Sequence, residues 1–423
     1  MNTLMSSELS YEEVRNLAIE HITPLFSNPI SAHTYLTSLP IQHSQESHNG
    51  WIWIQIPTWA SWTVPSNLKG IFLPRFSEST KFEDYPWWRA IVFYINLEFE
   101  KTHKRHRGST YSNSKPLGRL VSHAYDYAWV NRIAALLKAW CAYLAGKSIQ
   151  ELFGEMPIPK IYITHDVDAI HMSFKLRIKQ ATSRALSGQL FASLRILTAN
   201  HDDDFFETML NLEKSFEYHS TWLIYVNLKE FNGFKSHVLD PEYSLSNKNI
   251  ILLVARLKSS GHEIGLHSSF KSWNNLKYLK FEKLLLSNLT KEEPKCVRQH
   301  WLRFGVHTTW NLQKYLGFLK DFTLGFNDRV GFRAATALPL RINHGNFFAV
   351  PTVIMDSHLY SRQYRTKNER YTKIDEVLSE LELFGGCIAI NWHPHTLGKA
   401  YGWINEYNYL LASLKNRRIE VVT

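Results

Sequence analysis

The chain has 423 residues, with Lys+Arg 48 against Asp+Glu 38 and a formal net charge of +10 at pH 7. Its hydrophobic fraction of 44% and charged fraction of 20% are those of a globular protein. They exclude a disordered, collagen-like or coiled-coil chain. Length points to two or three domains, or to one large α/β barrel with an appendage.

The first 155 residues are rich in Trp and Tyr and lack clear βα alternation. Residues 51–63 open with Trp and Ile alternating at period two, a strand signal. Residues 88–100 and 124–145 read as buried or amphipathic helices. The basic run at 101–115 between them reads as a polar loop. The GEMPIPK stretch at 154–160 looks like a linker. It divides a smaller α+β N-terminal domain (1–155) from the rest (156–423). After it, strands are expected at 160–165, 221–226, 262–267, 297–301, 322–326, 348–354, 387–393 and 419–422. Helical patterns fall between many of them, at 202–219, 247–261, 374–386 and 402–416. Strand, helix, strand at this spacing implies a parallel sheet, open or closed into a barrel.

Cys141, Cys296 and Cys387 are too few for a disulfide framework and lack zinc-knuckle spacing. A reducing compartment is the default. The N-terminal stretch has no basic region followed by an apolar core, and nothing approaches about 18 uninterrupted apolar residues. A soluble, cytoplasmic protein with no membrane span is therefore expected. The positive balance favours acidic partners but speaks of association, not of fold.

Four strand ends carry chemistry. ITHDVDAIH (163–171) puts Asp166 and Asp168 two apart at the end of a strand, hence on one face. Two such carboxylates repel unless a cation lies between them, which would leave one as ligand and the other as base. The plainer reading is a loop that caps the next element. GHEIGLHSS (261–269) delivers His267 at a strand end, where a neutral imidazole can meet a divalent metal; His262, at the other end, reads as structural. VRQHWLRFGVH (297–307) sets Arg298 and His300 two apart. An Arg beside an aspartate holds it ionised, although a basic surface strand would look the same. CIAINWHPHT (387–396) delivers His393, a natural general acid or else a solvated histidine in a turn fixed by Pro394. Together the four suit metal-assisted hydrolysis.

THDVD, GHEIGLHSS, VRQHWLRF, GFRAATALP and INWHPH, in that order, resemble the motifs of the polysaccharide deacetylases. These are the NodB-like enzymes of carbohydrate esterase family 4, in the bacterial branch with an additional N-terminal domain. The resemblance covers roughly 156–423. It implies an α/β fold, a distorted (β/α) barrel with fewer than eight strands, and hydrolysis of acetyl groups on a sugar or polysaccharide precursor. It implies a divalent metal, with zinc the expected ion. Carried over by motif, Asp166 is the general base, Asp168 and His267 are metal ligands, Arg298 orients and ionises Asp166, and His393 is the general acid. Arg333, in GFRAAT, and Trp392, in INWHPH, are assigned to substrate. Val167 separates aspartates that are usually adjacent, and Lys271 stands where a further histidine is usual. His300 is the substitute third ligand, with His307 as fallback.

N-acetyl is expected over O-acetyl. The competing class is a carbohydrate-binding or regulatory protein on a degenerate scaffold. A nucleic-acid-associated protein using the net charge is the other, recognisable by steep salt dependence. No nucleic acid and no obligate protein partner is expected. The Trp-rich stretch at 51–62 reads as core or interface before sugar platform. No Gly-rich phosphate loop or G-x-S-x-G elbow occurs, so nucleotide hydrolase and serine esterase readings lack support.

Overall fold

A computed structural model of the chain describes all residues except 1–7, 45, 47, 69, 77, 102–111, 115–123, 172–173, 187, 189, 199–203, 229–239, 344 and 362. The chain forms two compact units. Unit 1 comprises Met1–Pro159, Leu324–Val353 and Ser379–Ile388; unit 2 comprises Lys160–Thr323, Ile354–Leu378 and Ala389–Thr423.

Unit 1 begins with helices α1 (Tyr11–Ile22) and α2 (Pro29–Thr37). An antiparallel ribbon of β1 (Trp51–Ile54) and β2 (Ile71–Pro74) follows. Helices α3 (Trp87–Ile95), α4 (Trp129–Ala145) and α5 (Ile149–Phe153) complete the N-terminal run. Ser10 starts α1 with a reciprocal Ser10–Glu13 capping box. Every residue of α3 is buried, and all but Arg89 are apolar or aromatic. In the Trp-rich stretch Trp51 stacks on Phe72 with centroids 5.3 Å apart, whereas Trp53 and Trp62 are 38% and 49% exposed. Most of the basic 101–115 run lies outside the described residues.

A single cut near residue 155 is expected; unit 1 runs to Pro159 and also takes back two later segments. The cause lies on α4. Buried Asn131 accepts the Ala337 N–H at 2.9 Å and donates to the Gly385 carbonyl at 2.9 Å. Arg132 grips Glu380 through Nε at 2.8 Å and Nη2 at 2.5 Å. Arg132 Nη1 also donates to the Thr63 carbonyl at 2.9 Å, so α4 ties these later segments to the N-terminal run.

Unit 2 runs β3 (Lys160–Val167), α6 (Phe174–Leu186), α7 (Leu190–Thr198), α8 (Phe205–Ser215), β4 (Thr221–Tyr225), α9 (Lys248–Ser259), β5 (Glu263–Ser268), α10 (Leu276–Thr290), β6 (Cys296–Gln299), α11 (Thr309–Tyr315) and β7 (Lys320–Asp321). Short strands β8 (Leu340–Arg341) and β9 (Phe348–Ala349) then pair antiparallel in unit 1. They are followed by β10 (Thr352–Met355), α12 (Asp356–Leu359), α13 (Lys367–Phe384), β11 (Cys387–Asn391), α14 (Ile404–Asn416) and β12 (Glu420–Val422).

Strands β3, β4, β5, β6 and β7 pair in parallel in that order. β11 flanks β3 on the other side, with β10 beyond it. β12 pairs in parallel with the first residues of β3. The result is a curled, open half-barrel with helices between its strands, the distorted (β/α) architecture expected. Gly265 on β5 lets three strands close up: a Cβ there would lie 2.3 Å from Cys296 Sγ and 2.6 Å from Leu223 Cδ2.

At three expected strands the outcome differs most: 322–326 is not a strand, 348–354 splits in two, and 297–301 ends early. Residues 322–326 leave the ladder after Asp321, because the Thr323 hydroxyl, not its backbone, receives the Gln299 N–H at 3.0 Å. Pro351 splits 348–354 into β9 and β10, since proline lacks the N–H a ladder needs. β6 stops at Gln299, because Trp301 and Leu302 turn into left-handed backbone with φ 57° and 44°.

Candidate active site

Four strands of unit 2 end together: β3 at Val167, β5 at Ser268, β6 at Gln299 and β11 at Asn391. In a parallel sheet the residues at and just past these ends face one space. Period two then sorts the side chains of β3. Thr164 and Asp166 point one way and His165 the other. His165 is fully buried, with Nε2 2.6 Å from Glu213 Oε1 and Nδ1 2.7 Å from the Trp392 carbonyl. It anchors β3 to α8. His171 lies exposed in the turn after β3. His262 sits at the start of β5, where the Ser220 N–H donates to its Nδ1 at 3.1 Å, so its structural reading holds.

Asp166 is 3% exposed and doubly held. Arg298 Nη1 donates to Oδ1 at 2.7 Å, and Asn391 Nδ2 donates to Oδ2 at 2.8 Å. Arg298 is itself fixed, with Nη2 donating to Thr164 Oγ1 at 2.7 Å and Nε to the Phe322 carbonyl at 3.0 Å. Burial alone would push the Asp166 carboxyl up. Arg298, then His267 and His393, outweigh it, so its pKa falls below the ordinary value. A buried carboxylate held ionised is the form a proton acceptor needs.

Asp168, His267 and His300 bring one ligand atom each to within 4.8 Å of one another. His267 Nε2 lies 3.3 Å and His300 Nε2 4.0 Å from Asp168 Oδ1. Both rings turn Nε2 towards Asp168, for a reason visible at Nδ1. His267 Nδ1 faces the Arg298 carbonyl at 3.2 Å, and His300 Nδ1 faces Asp240 Oδ1 at 3.0 Å. Both partners accept only, so Nδ1 carries the proton. His267 Nε2 and Asp168 Oδ1 are buried yet have no hydrogen-bond partner among the described residues. Their 3.3 Å separation is an ion-pair distance without hydrogen-bond geometry. Orphaned buried donor atoms, nitrogen and oxygen together, with outer partners fixing each imidazole, suit a divalent cation.

His393 closes the opposite side. Its Nε2 is 3.6 Å from Asp168 Oδ2 and 3.9 Å from Asp166 Oδ2. Its Nδ1 sits 2.8 Å from Asp356 Oδ1, and its own N–H donates to Asp356 Oδ2 at 2.9 Å. Burial would lower the imidazole pKa. Asp356 reverses this, with help from Asp168 and Asp166, and pushes it up to about 10.

Other expectations meet different surroundings. His307 is exposed after β6 and lies outside the ligand group. Lys271 caps a short 3₁₀ turn, also outside it. Arg333 is not a substrate residue: it belongs to unit 1, 1% exposed. Its guanidinium is held by Glu100 at 2.9 Å through both Nε and Nη2, and by Ser112 Oγ and the Gly325 carbonyl. GFRAAT placed it near the chemistry by motif, but its charge is neutralised in a structural bridge. Trp392 is also corrected: it is fully buried with its ring 5.0 Å from Tyr407, so it is core. Three residues escaped the sequence. Asn391 stands two before His393 on β11, and Asp356 follows the apolar run of β10, so the strand-end rule could have found both. Asp240 precedes α9 in a stretch without periodicity, and nothing marks it.

No known family model matches the chain, and no curated protein matches it. Solved structures do. A chitin deacetylase from the fungus Colletotrichum lindemuthianum is 12% identical, covering 63% of this chain and 86% of its own, with a TM-score of 0.36. A polysaccharide deacetylase from Bacillus cereus is 15% identical, covering 63% and 92%, with a TM-score of 0.33. The Puue allantoinase is 13% identical, covering 64% and 91%, with a TM-score of 0.41.

Proposed function

We propose that this chain is a metal-assisted hydrolase that removes acetyl groups from a sugar or polysaccharide precursor, N-acetyl rather than O-acetyl. The observation that carries the reading is the opposition of two fixed groups across one space. The Asp166 carboxylate lies between Arg298 and Asn391, and His393, steadied by Asp356, faces it from 3.9 Å. A hydrolytic site needs such a pair, one group to take a proton and one to give it. The ligand group Asp168, His267 and His300 lies beside both.

A divalent ion held by those three residues would polarise the acetyl carbonyl and acidify water; zinc is the ion its nitrogen and oxygen donors suit. The chain's own groups do the rest. Asp166 accepts a proton from water as the water oxygen bonds to the carbonyl carbon. Arg298 and Asn391 keep that carboxylate oriented and ionised. His393 gives its Nε2 proton to the leaving nitrogen as the C–N bond breaks. Acetate and a free amine are the products.

Asp166→Asn keeps the shape and removes the base. Turnover on acetylated sugars should fall by about 10²–10⁴-fold with metal content unchanged. Full activity would refute the assignment of Asp166. His267→Ala should lose the metal, read by elemental analysis. A parent protein that takes up no zinc on reconstitution would favour a sugar-binding protein on the same scaffold.

A further inference from the structure

A cavity of unit 2, about 780 Å³, lies between the α6–α7 hairpin, the segment after α12 and the segment before α14. Its described wall holds four arginines, Arg184, Arg195, Arg365 and Arg370, and no acidic residue. Arg370 is offset from behind the wall by Glu406, 2.9 Å from its Nε. Arg184 Nη1 donates to the Tyr360 carbonyl at 3.1 Å, and its guanidinium lies over the Trp403 ring at 5.0 Å. Arg195 Nε donates to the Lys399 carbonyl at 3.0 Å. Arg195 also lies against Gly402, where a Cβ would come 2.6 Å from Nη2. A carbonyl, such as that of Lys399 at Arg195, aims a guanidinium without cancelling its charge.

Two further observations point to a ligand. Tyr401 lines this cavity and is 8% exposed, yet its hydroxyl has no hydrogen-bond partner among the described residues. Tyr360 and Trp403 stack at 4.0 Å to form a flat aromatic wall. The cavity also adjoins the reaction space. The Tyr401 ring is 5.5 Å from that of His395, which is 5.6 Å from that of His393. A single carboxylate satisfies one guanidinium. Several guanidinium groups in one cavity wall suit the oxygens of a phosphoryl or diphosphoryl group, which Arg meets bidentately.

We propose that this cavity binds a phosphoryl group carried by the acetylated sugar, so that the substrate is a sugar phosphate or diphosphate and not a neutral glycan. This rests on the hydrolase reading and names its substrate class. Phe191, in the cavity wall on α7, is 92% exposed and Leu190 beside it 68%. An apolar rim of this kind could meet a lipid tail on the phosphate, so soluble and lipid sources are separated in the test.

The test uses the full chain and the double variant Arg195→Gln/Arg365→Gln, both exposed positions outside the catalytic group. Calorimetry with inorganic pyrophosphate should show binding in the parent and at least about 10-fold weaker binding in the variant. With N-acetylglucosamine 1-phosphate as probe, KM should rise about 10-fold and kcat hold. With neutral N-acetylglucosamine, neither should change. A nucleotide-diphosphate sugar outperforming a short isoprenyl-diphosphate sugar would identify a soluble source, and the reverse a lipid one; either supports the proposal. No pyrophosphate binding in the parent, or equal binding in the variant, would overturn it. Lost pyrophosphate binding with no acetate released from any sugar would leave the anion site standing and remove the hydrolase reading instead.

Discussion

Asp240 shows how one residue controls a site it does not enter. It holds His300 Nδ1 at 3.0 Å and accepts the Phe270 N–H at 2.8 Å through the same oxygen. Without it the His300 ring could rotate or exchange tautomers, and Nε2 would no longer face Asp168. Asp240→Asn keeps an acceptor but loses the charge that raises the basicity of Nε2. Divalent-metal affinity should fall about 10–100-fold, measured by competition with a chelator, while the circular dichroism spectrum stays unchanged. Unaltered affinity would remove Asp240 from the site. At this scale the sequence spoke unevenly. Asp166, Asp168, His267, Arg298, His300 and His393 could be read because apolar strands deliver them to one end of a sheet. Asp240 could not, because its placement depends on His300, 60 residues away in the chain. Arg333 was misplaced because a motif records residue type and order, not which carboxylate has already claimed the side chain.

Strand packing decides whether those residues meet. The β3–β6 registers set Asp166 beside Leu223 and His267 beside Arg298, and a slip of one residue would turn each functional side chain to the helix side. Gly265 keeps β4, β5 and β6 at this spacing. In Gly265→Ala the new methyl meets Cys296 Sγ at 2.3 Å and the Cys296 carbonyl oxygen at 2.9 Å. The thiol can swing away, but the carbonyl moves only if the strand does. The variant should lose about 1–3 kcal/mol, seen as a lower urea midpoint with the slope unchanged. Wild-type stability would mean the strands tolerate a wider spacing. Alternation made these strands legible from sequence. It failed at 322–326, where a hydroxyl replaces a backbone partner, and pattern alone carries no sign of that exchange.

For the whole molecule, Asn131 and Arg132 recruit later segments that no composition shift, the linker-like stretch at 154–160 included, reveals. The same dependence on distant partners shapes the response to pH, because buried carboxyls pull in two directions. Glu213 is pushed up by burial but more strongly lowered by His165, Tyr407 and Ser220, so its folded pKa is below its unfolded one. The stability it contributes is present above the unfolded pKa and lost as pH falls. Glu282 is the opposite case. Burial raises it to about 8, against hydrogen bonds from Ser269 and with repulsion from Asp240. Asp321 is raised by burial to about 6. For both, the fold binds more protons than the unfolded chain between the unfolded and folded values. Their stability is full below the unfolded pKa and is lost as pH rises through the folded one. The two trends cross, so stability should be greatest in mildly acid solution and decline towards pH 8. Glu282→Gln separates the contributions, since an amide can accept the Ser269 N–H and never ionises. At pH 5 it should melt with the parent. At pH 8 it should be more stable by about 1–3 kcal/mol, or roughly 2–6 °C in Tm. An equal difference at both pH values would show that Glu282 packs without titrating, and the decline would then belong to Asp321 or to the unfolded chain.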